Sequence, residues 1–184
     1  RFNIEEADRY YFIDDNGDPN IYDFVIESKG VLKPYKILLE GIKSLINKLN
    51  NFNTNFDKFL KRQDSSINIL ESDGLMKSYD LTIENENHTL GFILQSYINK
   101  LYERDNIFIG YMNPHPLEDK IKFRIKSTNN TITDIHNIFN ETSNLLIKLL
   151  SELKKNILKE FEGTITFKPK KVSKSKSKIP VSSD

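Results

Sequence analysis

Three histidines, His88, His115 and His136, and the carboxylates around them carry most of the acid–base or metal-binding potential of this 184-residue sequence, because it contains no cysteine. Disulfides, thiolate zinc sites and a cysteine nucleophile are excluded on that ground. No HxxxH pair occurs, and His88 and His136 fall near the starts of helical patterns, so no metal or other cofactor is expected. Glu118 and Asp119 are adjacent, and adjacent strand residues point to opposite faces, which makes them a poor acid–base pair and a better turn followed by a salt contact. Asp14, Asn16 and Asp18 fall at the first, third and fifth positions of a calcium loop. Pro19, however, stands where the sharp bend needs Gly, and Val25 where a bidentate Glu belongs. Neither a phosphate loop nor a nucleophile elbow is present, so no small-molecule substrate is expected.

The most unusual chemistry is conformational. In the stretch Tyr111-Met112-Asn113-Pro114-His115-Pro116-Leu117-Glu118-Asp119, two of the 6 prolines flank a histidine. Pro114 and Pro116 fix their own φ and push Asn113 and His115 toward extended backbone, which makes a stiff elbow suited to docking. His88 reads as a turn or capping residue at a helix entrance. Gly91, inside the first helical turn, costs up to about 1 kcal/mol against Ala and points to close backbone packing.

The elements that must hold these residues follow from periodicity. Residues 10–13 and 22–26 are β-rich runs around the Asn16-Gly17 turn dipeptide and predict a hairpin. Pro34 suits the first position of a helix. Beyond it, Leu38, Ile42, Leu45, Leu49, Phe52, Phe56 and Phe59 recur at alternating steps of four and three. A 3.5-residue period keeps one stripe against a partner helix, so these seven read as a helix-pairing seam. Residues 62–77, weakly periodic and rich in Ser and charge, read as a linker. There follow a strand at 79–83, a helix from about Thr89 with Leu90, Leu94, Tyr97, Ile98 and Leu101 on one face, and strands at 107–112 and 121–125. In the last of these Ile121, Phe123 and Ile125 alternate with Lys122, Arg124 and Lys126, the mark of a sheet with one wet face. A final helix opens at Thr133 and closes at Gly163. Its stripe includes Ile135, Phe139, Leu146, Leu149, Leu153, Ile157 and Phe161. A small sheet with one helix cannot bury so long a stripe, so the stretch 139–157 is expected to pair with the first seam.

Composition bounds the partners. An apolar fraction of 38% with 29% charged residues is that of a globular chain. From Lys168 on, six Lys stand against Asp184, a net of +5, which leaves −4 for the first 167 residues of a chain whose formal charge is +1. A mildly acidic body is not built to grip phosphates, and the Lys/Ser-rich residues 164–184 are expected to be a disordered tail. No apolar run is long enough to span a bilayer. The expectation is an intracellular protein, away from membranes. Arg1 in place of Met suggests the downstream part of a longer polypeptide.

Two motifs are recognisable at this point. His88-Thr89-Leu90-Gly91, followed some twenty residues later by Gly110-Tyr111, Pro114-His115-Pro116-Leu117-Glu118 and Lys120, resembles the signature of the L-type subunit of archaeal RNA polymerase, the small partner of the alpha-like heterodimer. The resemblance covers about residues 79–161. Two positions depart from it: Phe92 stands where the family usually has Asn, and Gln95 where it has Arg. Upstream, Tyr22, Phe24, Ile26-Glu27-Ser28, Gly30 and Pro34 before a long helix look like the end of the dimerisation domain of the larger, D-type partner.

The resemblance implies an α+β fold of two alpha-subunit-like dimerisation units, small antiparallel sheets with long helices, joined in one chain as an intramolecular pseudo-dimer. Residues 1–61 would end the D-type unit, 62–77 would link, 78–163 would form the L-type unit and 164–184 the basic tail. The implied role is a non-catalytic platform. It would hold the largest and second-largest RNA polymerase subunits together, with small accessory subunits and without direct sequence-specific DNA contact. Catalysis by such polymerases needs an aspartate cluster for magnesium, and no D-x-D-G-D run occurs. Fusion of the two partners and the richness in Asn, Lys and Ile suggest a large cytoplasmic DNA virus as source, with the protein in virion and host cytoplasm, or otherwise in the nucleus. The alternative is nucleic-acid binding through the Lys-rich tail.

Overall fold

Among the described residues, which are 12–13, 19–21, 24–72, 77–105, 107–115, 117–127, 129 and 131–163 of the computed structural model, the elements are β1 (Phe12–Ile13), β2 (Pro19–Ile21), α1 (Pro34–Leu60), β3 (Ile67–Glu71), β4 (Tyr79–Glu84), α2 (His88–Leu101), β5 (Phe108–Met112), β6 (Lys120–Lys126) and α3 (Ile132–Gly163). The chain divides into two compact units, Arg1–Gly41 and Ile42–Asp184. The architecture is α+β, as the sequence indicates.

In the first unit β1 and β2 pair antiparallel, Phe12 opposite Ile21. The second strand therefore precedes the run at 22–26, of which Phe24 and Val25 are highly exposed and outside any strand. The described part of that run, residues 24–26, forms no strand, and propensity alone does not make a ladder. The turn that carries Asp14, Asn16 and Asp18 lies outside the described residues. The Oγ of Ser28 accepts a hydrogen bond from the Gly30 amide at 3.2 Å and donates to the Leu32 carbonyl. Pro34 begins α1 as expected.

The second unit is built on a four-stranded antiparallel sheet of order β3-β4-β6-β5. Its register sets Ile69, Leu81, Phe123 and Tyr111 in one row and Ile67, Ile83 and Ile121 in the next. With a side-chain period of 2, these rows share one face, and that face carries the core. Against it pack Leu90, Leu94 and Ile98 of α2, Ile135, Ile138, Phe139 and Leu146 of α3, and Leu49, Phe52 and Phe56 of α1. Burying each such side chain is worth roughly 1.5–3 kcal/mol before entropy is counted.

Strand β3 is the main departure from the sequence reading, because it lies inside residues 62–77, expected as a linker. Its inward residues Ile67 and Ile69 are buried, but Leu70 points outward and is exposed. Apolar residues on both faces blur the alternation by which a half-buried strand is recognised. Ser65 fixes its start: the hydroxyl donates to the Asn55 carbonyl at 2.7 Å and accepts from the Ile67 amide. The helix starts also shift by one or two residues. Asn87 caps α2 by accepting from the Thr89 amide at 3.1 Å, which makes His88 the first helical residue rather than the cap. Thr131, not Thr133, caps α3 by accepting from the Asp134 amide at 3.1 Å. No helix among the described residues is long and apolar enough to cross a membrane.

Candidate functional site: the paired motifs and the long helix stripes

Gly91 and Tyr111 explain each other. A Cβ built on Gly91 would lie 2.5 Å from the Tyr111 ring, closer than atoms can approach, so only glycine lets the α2 backbone rest on that ring. The helix-propensity cost at Gly91 is thus the condition for docking α2 on β5. Gln95, one turn further on, completes the joint: its Oε1 accepts the Tyr111 amide at 2.7 Å. Among the described residues β5 is the edge strand of the sheet, and this side chain satisfies an edge N–H there. His88 lies at the end of the same contact, with its ring edge-on to Tyr111 at 6.0 Å and Nδ1 within 3.5 Å of the tyrosine hydroxyl.

The two motifs, separated by some twenty residues, therefore meet in space through His88, Gly91 and Tyr111. Leu90 is fully buried in the core beneath them, while Thr89 is exposed. The segment after β5 projects outward: Pro114, His115, Leu117 and Glu118 are exposed, Leu117 almost completely, and Pro116 lies outside the described residues. Hydrogen bonds stiffen this elbow from within. Asn113 Oδ1 accepts from the His115 amide at 3.0 Å, and His115 Nδ1 accepts from the Leu117 amide at 3.2 Å. The second bond requires an unprotonated Nδ1. Glu118 pairs with Lys120, whose ammonium holds its carboxyl below the usual carboxylate range. His115 and Glu118 stand three residues apart, but each is engaged locally. Among the described residues no group of three or more His, Asp or Glu is placed to hold a metal ion.

A run of aromatic contacts leads from this joint to the helix stripes. Tyr111 is 6.1 Å from Phe123, Phe123 is edge-on to Phe139 at 5.3 Å, and Phe139 meets Phe52 at 5.5 Å and Phe56 at 6.0 Å. The side chains are thus continuous from α2 through β5, β6 and α3 to α1. Aromatic contacts of this kind, edge-on for Phe123–Phe139 and Phe52–Phe139 and tilted for the other two, add about 0.5–1.5 kcal/mol each beyond their area. On the α1 stripe Ile42, Leu49, Phe52 and Phe56 are buried, Leu45 and Phe59 half-buried, and Leu38 is at the exposed margin. On α3, Phe139 and Leu146 are buried and Ile157 half-buried, while Leu149 and Leu153 are exposed. His136 adds a polar tie at the α1–α3 contact, with Nε2 at 3.1 Å from Asp57 and its ring on Phe56 at 5.0 Å. Lys48, off the stripe, pairs with Glu86 at 2.7 Å.

On the outer face of the sheet Asp80 joins Arg124 and Lys122, a cluster the sequence reading did not identify. Arg124 donates to both carboxylate oxygens, Nε at 2.7 Å and Nη2 at 2.9 Å, and Lys122 Nζ lies at 2.7 Å. The guanidinium and ammonium hold the Asp80 carboxyl down to about 2 against the opposing effect of burial. The only sequence signal for it is register: Asp80 stands directly opposite Arg124. Elsewhere, burial and the Glu141 carboxylate at 2.7 Å raise the Tyr102 phenol above its ordinary value, so it stays protonated.

Comparison with known proteins bears on this arrangement. A family profile described as the RNA polymerase Rpb3/Rpb11 dimerisation domain matches residues 78–156, from β4 through most of α3. A probable DNA-directed RNA polymerase II subunit RPB11 of Caenorhabditis elegans is 42% identical over 76 residues, 41% of this chain and 61% of the relative. The corresponding protein of Caenorhabditis briggsae is 37% identical over 106 residues, 54% of this chain and 85% of the relative. The RPAC2 subunit of RNA polymerases I and III of Drosophila melanogaster is 47% identical over 51 residues, 28% of this chain and 47% of the relative.

Proposed function

The chain belongs to the RNA polymerase Rpb3/Rpb11 dimerisation family, and from that premise we propose that it is a non-catalytic assembly subunit of a multisubunit DNA-dependent RNA polymerase. The observation that carries this reading is the Gly91–Tyr111 joint. It locks the two motifs together and leaves the Pro114–His115–Leu117 elbow rigid and outward. A stiff, exposed elbow loses little conformational freedom on binding, which is what a permanent subunit contact requires.

In the finer form of the proposal, an L-like half that includes residues 78–163 meets the largest subunit and a D-like half, residues 1–61, meets the second-largest, with small accessory subunits alongside. The halves are fused, and their contact is the pairing of α1 with α3. The Phe52–Phe139 contact supports that pairing. A large DNA virus as source, and an intracellular location in virion and host cytoplasm or in the nucleus, belong to the same reading and rest on fusion and composition.

The test is purification of the native chain from its source under mild conditions. Two large polymerase subunits in stoichiometric amount support the proposal. Recovery of the chain bound to bare nucleic acid, and released by deletion of residues 164–184, favours the Lys-rich tail as a nucleic-acid contact and overturns it. Replacing Pro114 by Gly is expected to lower recovery of the largest subunit while leaving the melting temperature of the free chain within a few degrees. Unchanged recovery removes the elbow from the docking role.

A further inference from the structure

The outer face of the sheet makes a second surface, independent of the elbow and of the helix stripes. Phe108 and Met112 of β5 are 63% and 57% exposed on that face, one on either side of Gly110. A Cβ built on Gly110 meets nothing within 4 Å, so the glycine leaves a slot between the two apolar side chains. The slot is part of an open depression of about 270 Å³ whose floor is Asp80, Lys122 and Arg124. The floor carries two cations against one anion. Arg124 is held by Nε and Nη2 on Asp80, yet 55% of its side chain remains in contact with solvent. A guanidinium already fixed in place loses little freedom when it takes a further acceptor.

We propose that this face docks a short segment of another protein that presents one carboxylate beside a large apolar side chain, the carboxylate on Arg124 and Lys122 and the apolar group in the slot over Gly110. Charge complementarity selects this occupant. A surplus of one positive charge matches one carboxylate, whereas nucleic acid would bring a run of phosphates onto a floor that already contains Asp80 and would find a single outward aromatic, Phe108, on β5 to stack on. The chain's own residues 168–184, with a net charge of +5, would be repelled. Apolar side chains around a charged centre are also the pattern of a docking anchor, because contact excludes water from the ion pair. Nothing in the proposal depends on the polymerase assignment.

The experiment titrates the whole chain, isotope-labelled for amide shifts, with two acetylated tetrapeptides, Leu-Glu-Phe-Leu and Leu-Gln-Phe-Leu, and with a uridine decanucleotide. The expected result is shifts confined to β5 and β6, with the Glu peptide binding about tenfold tighter than the Gln peptide, as expected for a charge-assisted contact. Gly110→Val, which fills the slot with a strand-favouring residue, and Phe108→Ser, at an exposed position, are each expected to weaken the Glu peptide by about tenfold. Their melting temperatures should stay within a few degrees. Equal affinity for the two peptides, no binding of either, indifference to both variants, or a response to the oligonucleotide alone would each overturn the proposal.

Discussion

The two halves of α3 carry the same apolar stripe on the same helix and meet different fates. From Ile135 to Leu146 the stripe is buried, with Ile135 and Phe139 at 0% exposure, whereas Leu149 and Leu153 are 40% and 48% exposed. The helix is 32 residues, or about 48 Å at 1.5 Å per residue. A strand of seven residues rises only about 23 Å. Periodicity states which face of a helix is apolar; the length of what lies opposite decides how much of it is covered. The difference teaches that the first half belongs to the fold and that the second is left uncovered among the described residues, and energetics can break that division or sharpen it.

The largest effect is expected at Phe139, the junction of the aromatic run. Phe139→Ala removes contacts with Phe52, Phe56 and Phe123 at once. A loss of about 3–5 kcal/mol in denaturant unfolding is expected, against about 1 kcal/mol or less for the exposed Leu149→Ala. Equal losses would mean that both halves are covered alike and would break the comparison. Phe52→Ala should be strongly non-additive with Phe139→Ala, since the rings touch.

Next in size is Gly91→Ala. In an open helix this change would stabilise by up to about 1 kcal/mol. Here the new methyl meets the Tyr111 ring, and overpacking against a ring held by Phe123 and the backbone is expected to reverse the sign, to a net loss of about 1–3 kcal/mol. In the double variant Gly91→Ala/Tyr111→Ala, much of the Gly91→Ala penalty should vanish. A penalty that persists without the ring would place the strain elsewhere.

These two residues also show how much could be read in advance. The motifs were legible as spacings, and Gly91 as a site of close packing, because a glycine in a first helical turn is costly without a reason. Its partner was not legible, since only strand β5 and its register bring Tyr111 over α2. Gln95 is a plainer case: it stood out as a departure from the family pattern, but that it would satisfy an edge amide is a fact of geometry. The strands β4, β5 and β6 were legible in chain order, and the wet face of β6 followed from alternation. Strand β3 did not, because Leu70 is apolar on the outer face, and the helix caps fell to Asn87 and Thr131 because hydroxyl and amide residues cluster at both entrances. The loop at 14–18, Pro116 and the tail at 164–184 lie outside the described residues.

A smaller effect is expected at Asp80, on the opposite side of the sheet from the aromatic run. Its folded pKa, about 2, lies below the ordinary value of 3.8, so its contribution is complete well above pH 4 and is lost as pH falls through that value toward 2. Asp80 is covered chiefly by its own cationic partners, whose outer sides meet water, and screening reduces the contribution to about 1 kcal/mol at neutral pH. Asp80→Asn should lower stability by that amount at pH 7 and flatten the stability profile between about pH 4 and 2. A profile unchanged in that window would show that the Arg124 pairing contributes nothing to folding.

The smallest effect, and the sharpest test of the division within α3, belongs to Leu153→Asp. At a buried stripe position an unpaired carboxylate forfeits both packing and hydration, and losses of several kcal/mol follow. At an exposed one the charge stays in water, and the change reduces to helix propensity and a little lost contact, about 0.5–1 kcal/mol. The free chain should therefore melt within a few degrees of the unaltered protein, whereas Leu146→Asp, two turns earlier on the same helix, should prevent stable folding. Reversal of that ranking would mean that the C-terminal stripe is already covered within the chain. The ranking as expected, together with loss of a co-purifying partner only in Leu153→Asp, would place the uncovered half of α3 in an intermolecular contact, since a substitution that leaves folding intact can remove a partner only through the surface it alters.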